Sequence, residues 1–96
     1  MPELVPILEA ALHGNSAEAR RLLEEDGGQV SVRNLLGWTP LHVAAYRGDV
    51  EIAALLVAYG ADVQARDLQG KTPLDVARSL SHRNGIVRML ERHAPS

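Results

Sequence analysis

Side chains able to do covalent or acid–base chemistry are few in this chain of 96 residues. Cysteine is absent, which removes thiol nucleophiles, thiolate-held zinc and disulfides together. The four histidines, His13, His42, His82 and His93, include no pair at i, i+3 or i+4 that could grip a metal from one helix face. Ser79, His82 and Asp75 can be drawn as a relay, but no nucleophile elbow or oxyanion loop accompanies them. The glycines at 14, 27, 28, 37, 48, 60, 70 and 85 all fit turns or helix ends, and none builds a phosphate cradle. The expectation is a non-catalytic chain with no cofactor and no metal site.

The remaining chemistry is recognition. Trp, Tyr and Arg are the residue types enriched at interaction hot spots, and Trp38, Tyr46 and Arg47 fall close together beside Leu35 and Leu36. The composition sharpens this: 46% of residues are hydrophobic but only 3% aromatic, with no Phe. The core must therefore come from Leu, Ala, Val and Ile, small side chains that suit closely packed helices. All three aromatics, Trp38, Tyr46 and Tyr59, stand in the middle third. Tyr59 reads as a half-exposed filler.

The formal charge of −2 argues against a protein devoted to neutralising phosphates. It conceals a gradient, with −3 over residues 1–33, −2 over 34–67 and +3 over 68–96. An alternative reading follows, in which Lys71, Arg78, Arg83, Arg88 and Arg92 contact nucleic acid or another polyanion. The absence of interleaved aromatics among them weighs against it. The longest apolar run, Ile52 to Tyr59, is far short of the ~20 residues of a spanning helix. Met1 to Leu8 carries Glu3 and no basic residue, unlike a secretory leader. The expected compartment is cytoplasmic, with the nucleus as the alternative.

What positions these residues is a repeat. Gly37-Trp38-Thr39-Pro40-Leu41-His42-Val43-Ala44 recurs as Gly70-Lys71-Thr72-Pro73-Leu74-Asp75-Val76-Ala77, at a spacing of 33 with six of eight positions identical. The same spacing links Glu18 to Glu51, Leu22 to Leu55, Leu23 to Leu56, Gly27 to Gly60, Val30 to Val63 and Arg33 to Arg66. A degenerate copy opens the chain, where Val5-Pro6-Ile7-Leu8 aligns with Thr39-Pro40-Leu41-His42 at an offset of 34. The extra residue is expected in the turn near Asn15, Ser16 and Ala17.

Each copy reads as two short helices and a projecting finger. Thr39 and Thr72 are N-caps followed by Pro at the first helical position, where the missing N–H is not needed. Asp49 caps a second helix running to about Tyr59, and Gly60 supplies a left-handed ending. Asn15 with Glu18 gives the same signal in the first copy. Asp67 and Gly70 suit a hairpin-like finger before the third unit.

A period of 33, two helices with a finger, and Thr-Pro-Leu-His in that register resemble ankyrin repeats. The stretch from Gly60 to Leu74 is similar to the family consensus nearly residue by residue. The resemblance implies an all-α solenoid with short β-hairpin-like fingers, divided at about 1–33, 34–66 and 67–96, with the outer two units acting as caps. Glu9 stands where the later units have Val43 and Val76, and Arg88 and Arg92 stand on the last helix, as polar end faces require. Ser81 replaces the Gly48 of the middle unit, and the chain is read as a complete small stack.

The resemblance further implies a protein–protein interaction module, a scaffold whose concave face of finger tips and first helices meets an unidentified protein partner. Carried over position by position, the partner-binding set is Leu35, Leu36 and Trp38, then Leu68, Gln69 and Lys71, on the fingers. On the first helices it is Leu12 and His13, Tyr46 and Arg47, and Ser79 and Leu80. For His42 the resemblance implies a structural imidazole hydrogen-bonding across the repeat. Trp38 stays open between partner contact and packing over the neighbouring finger, and Leu35 and Leu36 between an exposed patch and packing on Trp38. The protein is expected to be a monomer without membrane contact, self-association through an incompletely capped end being the other alternative.

Overall fold

A computed structural model of the chain describes residues 5–80 and 84–93. Ser81, His82 and Arg83 lie outside the described residues, so the relay, the Gly48 replacement and one member of the basic set are not placed. Among the described residues six α-helices follow one another: α1 (Pro6–Leu12), α2 (Ser16–Glu25), α3 (Pro40–Arg47), α4 (Val50–Ala58), α5 (Pro73–Arg78) and α6 (Asn84–His93). A 3-10 turn, Gly27–Ser31, follows α2.

Local chemistry starts and stops these helices. The Thr39 and Thr72 hydroxyls accept from the amides of His42 and Asp75, and the threonine amides donate in return to the His42 ring and the Asp75 carboxylate, a full capping box at α3 and at α5. Asp49 accepts from the Ile52 amide and Asn15 from the Glu18 amide, opening α4 and α2. Each such cap contributes about 1 kcal/mol. Val5 precedes α1 without a side-chain cap, so this degenerate first helix relies on Pro6 and on packing.

The helices form two rows. In one row α3 lies between α1 and α5; in the other, α4 lies between α2 and α6. Pro40 through Ala45 are buried without interruption, because α3 touches neighbours on both sides as well as its own partner α4. Ala10, Ala11, Ala44, Ala45, Ala53 and Ala77 let the rows approach closely, and Ile7, Leu23, Leu41, Ile52, Leu56, Ile86 and Leu90 fill the space between them. None of Trp38, Tyr46 and Tyr59 is among the buried residues, so the apolar core is aliphatic.

The extra residue of the first unit is not in its inter-helix turn. The paired features Gly14 and Gly48, both left-handed or nearly so, and the caps Asn15 and Asp49 all keep the offset of 34. The offset returns to 33 within α2, which has ten residues where α4 has nine. A helix absorbs the insertion because Ala19, Leu22 and Leu23, at i, i+3 and i+4, still share one buried face.

The fingers turn back as hairpins do, but no strand forms among the described residues. One backbone bond closes each base, Asn34 N–H to the Trp38 carbonyl at 3.0 Å and Asp67 N–H to the Lys71 carbonyl at 2.9 Å. The tips are then held by side chains. Asn34 Oδ1 accepts from the Leu36 and Trp38 amides, and Asp67 Oδ1 accepts from the Gln69 and Lys71 amides. The Gly37 and Gly70 amides turn back instead to the Asn34 and Asp67 carbonyls, both at 2.9 Å, so each finger is a tight turn rather than a ladder.

Successive fingers are also tied to each other. Leu68 N–H donates to the Leu36 carbonyl at 3.1 Å, and Arg33 Nη1 donates both to the Gly37 carbonyl and to the Arg66 carbonyl. The approach is so close that a Cβ on Gly37 stands 2.8 Å from the Leu68 nitrogen, whereas one on Gly70 meets nothing within 4 Å. The two glycines have nearly the same φ, +79° and +78°. We expect Gly70→Ala to cost about 1 kcal/mol, the left-handed backbone penalty alone. Gly37→Ala should cost at least about twice that, since it adds a backbone clash. Urea titrations of the two variants, compared by midpoint at equal slope, check the difference.

Candidate functional site

The site is built around the imidazole of His42. His42 Nδ1 accepts from the Thr39 amide at 3.1 Å, so the ring proton sits on Nε2, which donates to the Lys71 carbonyl at 2.8 Å. One fully buried side chain thus caps its own helix and grips the base of the next finger. Burial pushes its pKa below the ordinary histidine value, against the opposing pull of the Lys71 carbonyl. Protonation of Nδ1 would also set two N–H donors face to face at Thr39. Asp75 stands at the corresponding place in the third unit and completes only the local box with Thr72.

Trp38 lies over this bridge. Its ring stacks on His42 at 6.0 Å between centroids and meets Tyr46 at 5.7 Å in a tilted contact. Its indole N–H donates to Asp67 Oδ2 at 2.9 Å, so the ring packs over the neighbouring finger while its edge lines both grooves. The Lys71 amide, then the Gln69 amide and the Trp38 indole, hold the Asp67 carboxyl below the usual carboxylate range. Asp67 was read from sequence only as a turn residue. Its 33-residue relation to Asn34 was the available signal, because both repeat the same Asx turn.

Two grooves flank the Trp38–Tyr46 ridge. The larger, about 570 Å³, runs between α1 and α3 beneath the first finger and is lined by Leu12, Leu35 and Leu36 together with Val5, Leu8, Glu9 and Val43. Arg33 and Asn34 close it. The smaller, about 360 Å³, runs between α3 and α5 and is lined by Leu68, Gln69, Lys71, Ser79 and Leu80, with Asp67 and Val76. Leu36, Trp38 and Tyr46 belong to both.

Of the large hydrophobic residues exposed among those described, Leu12, Leu35, Leu36, Tyr46 and Leu68 all line these grooves; only Val50 and Tyr59 do not. Leu35 is 94% and Leu68 78% exposed, so neither tip packs back on Trp38. These exposed apolar side chains thus gather along the two grooves. Val5, Leu8, Val43 and Val76 were not singled out from sequence as site residues. They are half-buried or buried core positions whose edges become walls only once neighbouring helices are in place.

Arg47 and His13 lie apart from both grooves. Arg47 Nη1 donates to the Leu12 carbonyl at 2.8 Å, placing a cation at the C-terminal end of α1 and bracing the first unit against the second. His13 approaches Glu9 at 3.8 Å, at a shallow depression formed with Pro6, Ala10, Asn15 and Glu18.

A family model described as ankyrin repeats (3 copies) matches residues 7–94. The chain belongs to the ankyrin-repeat family. Comparison with curated proteins gives no match. Ankyrin repeats generally mediate protein–protein interaction, and the family is typically non-catalytic. In this ankyrin stack, no described helix is long and apolar enough to cross a membrane, and no three metal-ligating side chains gather among the described residues. Of the basic set of the third repeat, Lys71 stands on the finger, Arg78 is paired with Glu91 at 2.7 Å, and Arg88 and Arg92 belong to α6.

A pH dependence follows from His42. With its folded pKa lowered, the unfolded chain binds the extra proton between that pKa and about 6.5, so stability is full above 6.5 and declines as pH falls below it. Asp67 and Asp75, both lowered, add a further loss near and below 3.8. We expect the urea midpoint to fall between pH 7 and 5 in the native chain. His42→Gln should be less stable at pH 7 yet lack that part of the pH dependence.

Proposed function

We propose that this chain is a non-catalytic binding module that receives a protein partner on the two grooves and the finger tips between them. The observation that carries the reading is that the leucines of both tips point into solvent while the fingers bearing them are rigidly tied. Such a surface needs little ordering when a partner arrives. A leucine exposed in the free state can gain about 2 kcal/mol on full burial. Leu35, Leu36 and Leu68 therefore offer most of the apolar gain, Trp38 and Tyr46 a stiff wall beside them, and Gln69, Lys71 and Ser79 a polar rim. Tip side chains make no bond that the fold depends on, so they can be changed without disturbing it.

The test is the double variant Leu35→Asp with Leu68→Asp. Its helical circular dichroism and urea midpoint should stay within about 0.5 kcal/mol of the native chain, as for other exposed positions. Capture of partner proteins from a cell extract, read by mass spectrometry, should fall more than tenfold. Arg20→Glu, on the exposed side of α2, is the control expected to retain capture. Undiminished capture by the tip variant would place the binding surface elsewhere.

A further inference from the structure

The ties between fingers run in one direction and stop at both ends of the stack. Leu68 N–H donates to the Leu36 carbonyl, and Arg33 holds its own finger at the Gly37 carbonyl and the next at the Arg66 carbonyl. The spacing of 33 places Gln69 where Leu36 stands, Leu35 where Leu68 stands and Arg66 where Arg33 stands. Both fingers have the same internal bonds, so these groups hold matching places on them. Among the described residues, the Gln69 carbonyl, the Leu35 N–H and the Arg33 carbonyl have no hydrogen-bond partner. Arg66 reaches only the Gly70 carbonyl of its own finger, at 3.3 Å. The second finger thus offers an acceptor and a donor at its outer edge, and the first offers the matching donor and acceptor.

Burial shows which helix positions face each neighbour. The place held by Val43 and Val76 is buried where a unit lies upstream, and in the first unit it holds the half-exposed Glu9. The place held by Ala11 and Ala45 is buried where a unit lies downstream, and in the third unit it holds the exposed Arg78. Leu74, on that same outer side, is half-buried where its counterpart Leu41 is fully buried. A unit set against the third would therefore bring a residue in the place of Glu9 onto Arg78 and cover Leu74. Arg78 already pairs with Glu91, but a guanidinium has donors enough for two carboxylates. Net charge is −3 over residues 1–33 and +3 over 68–96, so opposite ends attract and like ends repel.

We propose that a second copy of this chain stacks head to tail on the third unit, its first finger continuing the finger row. Leu35 N–H of the next copy donates to the Gln69 carbonyl, Arg66 donates to that copy's Arg33 carbonyl, and that copy's Glu9 meets Arg78. The His42 bridge has no counterpart at this junction, because Asp75 is a carboxylate engaged in its own capping box. Copies therefore associate more weakly than the units within one chain, and reversibly. Each head-to-tail junction leaves one end of either copy open, so association continues past a dimer.

Sedimentation of the chain over a wide concentration series tests this. At low salt the mean mass of the native chain should rise past that of a dimer, and added salt should lower it. Gly70→Asn keeps a left-handed turn, which asparagine tolerates. It also sets a Cβ where the next copy's Leu35 nitrogen would come, as a Cβ on Gly37 meets the Leu68 nitrogen at 2.8 Å. It should weaken association about tenfold or more, the effect of roughly 1.4 kcal/mol. Gly60→Asn, at another left-handed glycine with open space around it, is the control and should associate as the native chain does. Glu9→Arg and Arg78→Glu should each weaken association by up to about fivefold, and an equal mixture of the two should regain it. A monomer mass at every concentration, a plateau at the dimer, or association undiminished by Gly70→Asn overturns the proposal. Equal weakening by Gly60→Asn, or a mixture that associates no better than its components, does the same.

Discussion

The neutral imidazole of His42 joins the second unit to the third, and much of the molecule is arranged so that this ring can stay uncharged and fully bonded. Thr39 supplies the donor to Nδ1, and the Lys71 carbonyl accepts from Nε2. Trp38 covers the ring, and Asp67 in turn anchors Trp38. A buried polar ring without partners would destabilise the stack by more than one hydrogen bond contributes, so each neighbour matters beyond its own contact. The bridge also ties α3 to the second finger, whose Asp67, Leu68, Gln69 and Lys71 line the smaller groove. Folding and surface geometry therefore share one set of bonds.

The units differ in how far they use this device. The middle unit has the full arrangement, the third has an aspartate that serves its own helix, and the first has Leu8 at the aligned position with an uncapped helix start. Bridging is concentrated where two neighbours meet. Elsewhere, ties between units are made by Arg33 across the fingers and Arg47 across the helices. Both arginines donate to backbone carbonyls, which exist at every position whatever the side chains, so these ties place little demand on the sequence they reach.

Much of the fold was legible because its signals are local and repeated. Pro40 and Pro73 after threonine, Asp49 after Gly48, and the recurrence at 33 residues each specify a helix end or a unit without reference to anything distant. The concave set was legible as a list but not as a shape. Arg47 and Tyr46 are adjacent in sequence, yet one braces α1 and the other walls both grooves, because a step of one residue turns about 100° around a helix. Asp67 was hidden for a different reason: a turn residue and an inter-repeat anchor look alike until the partner indole, 29 residues away, is brought beside it. The inserted residue of α2 was misplaced in the turn because identity matching sees the change of register only between matched residues, while the caps and the helix length locate it.

The fingers owe their form to main-chain groups, to Asn34 and Asp67, and to an arginine from the preceding stretch; the side chains at their tips take no part. Conformational stability and surface chemistry are consequently written at different positions of the same short loop. A lineage carrying this stack can exchange Leu35 or Leu68 for side chains other than proline and keep the loop, since Leu68 contributes its main-chain N–H rather than its side chain. Changes at Asn34, Gly37 or Asp67 have no such latitude. Specificity here can change quickly on a frame that changes slowly.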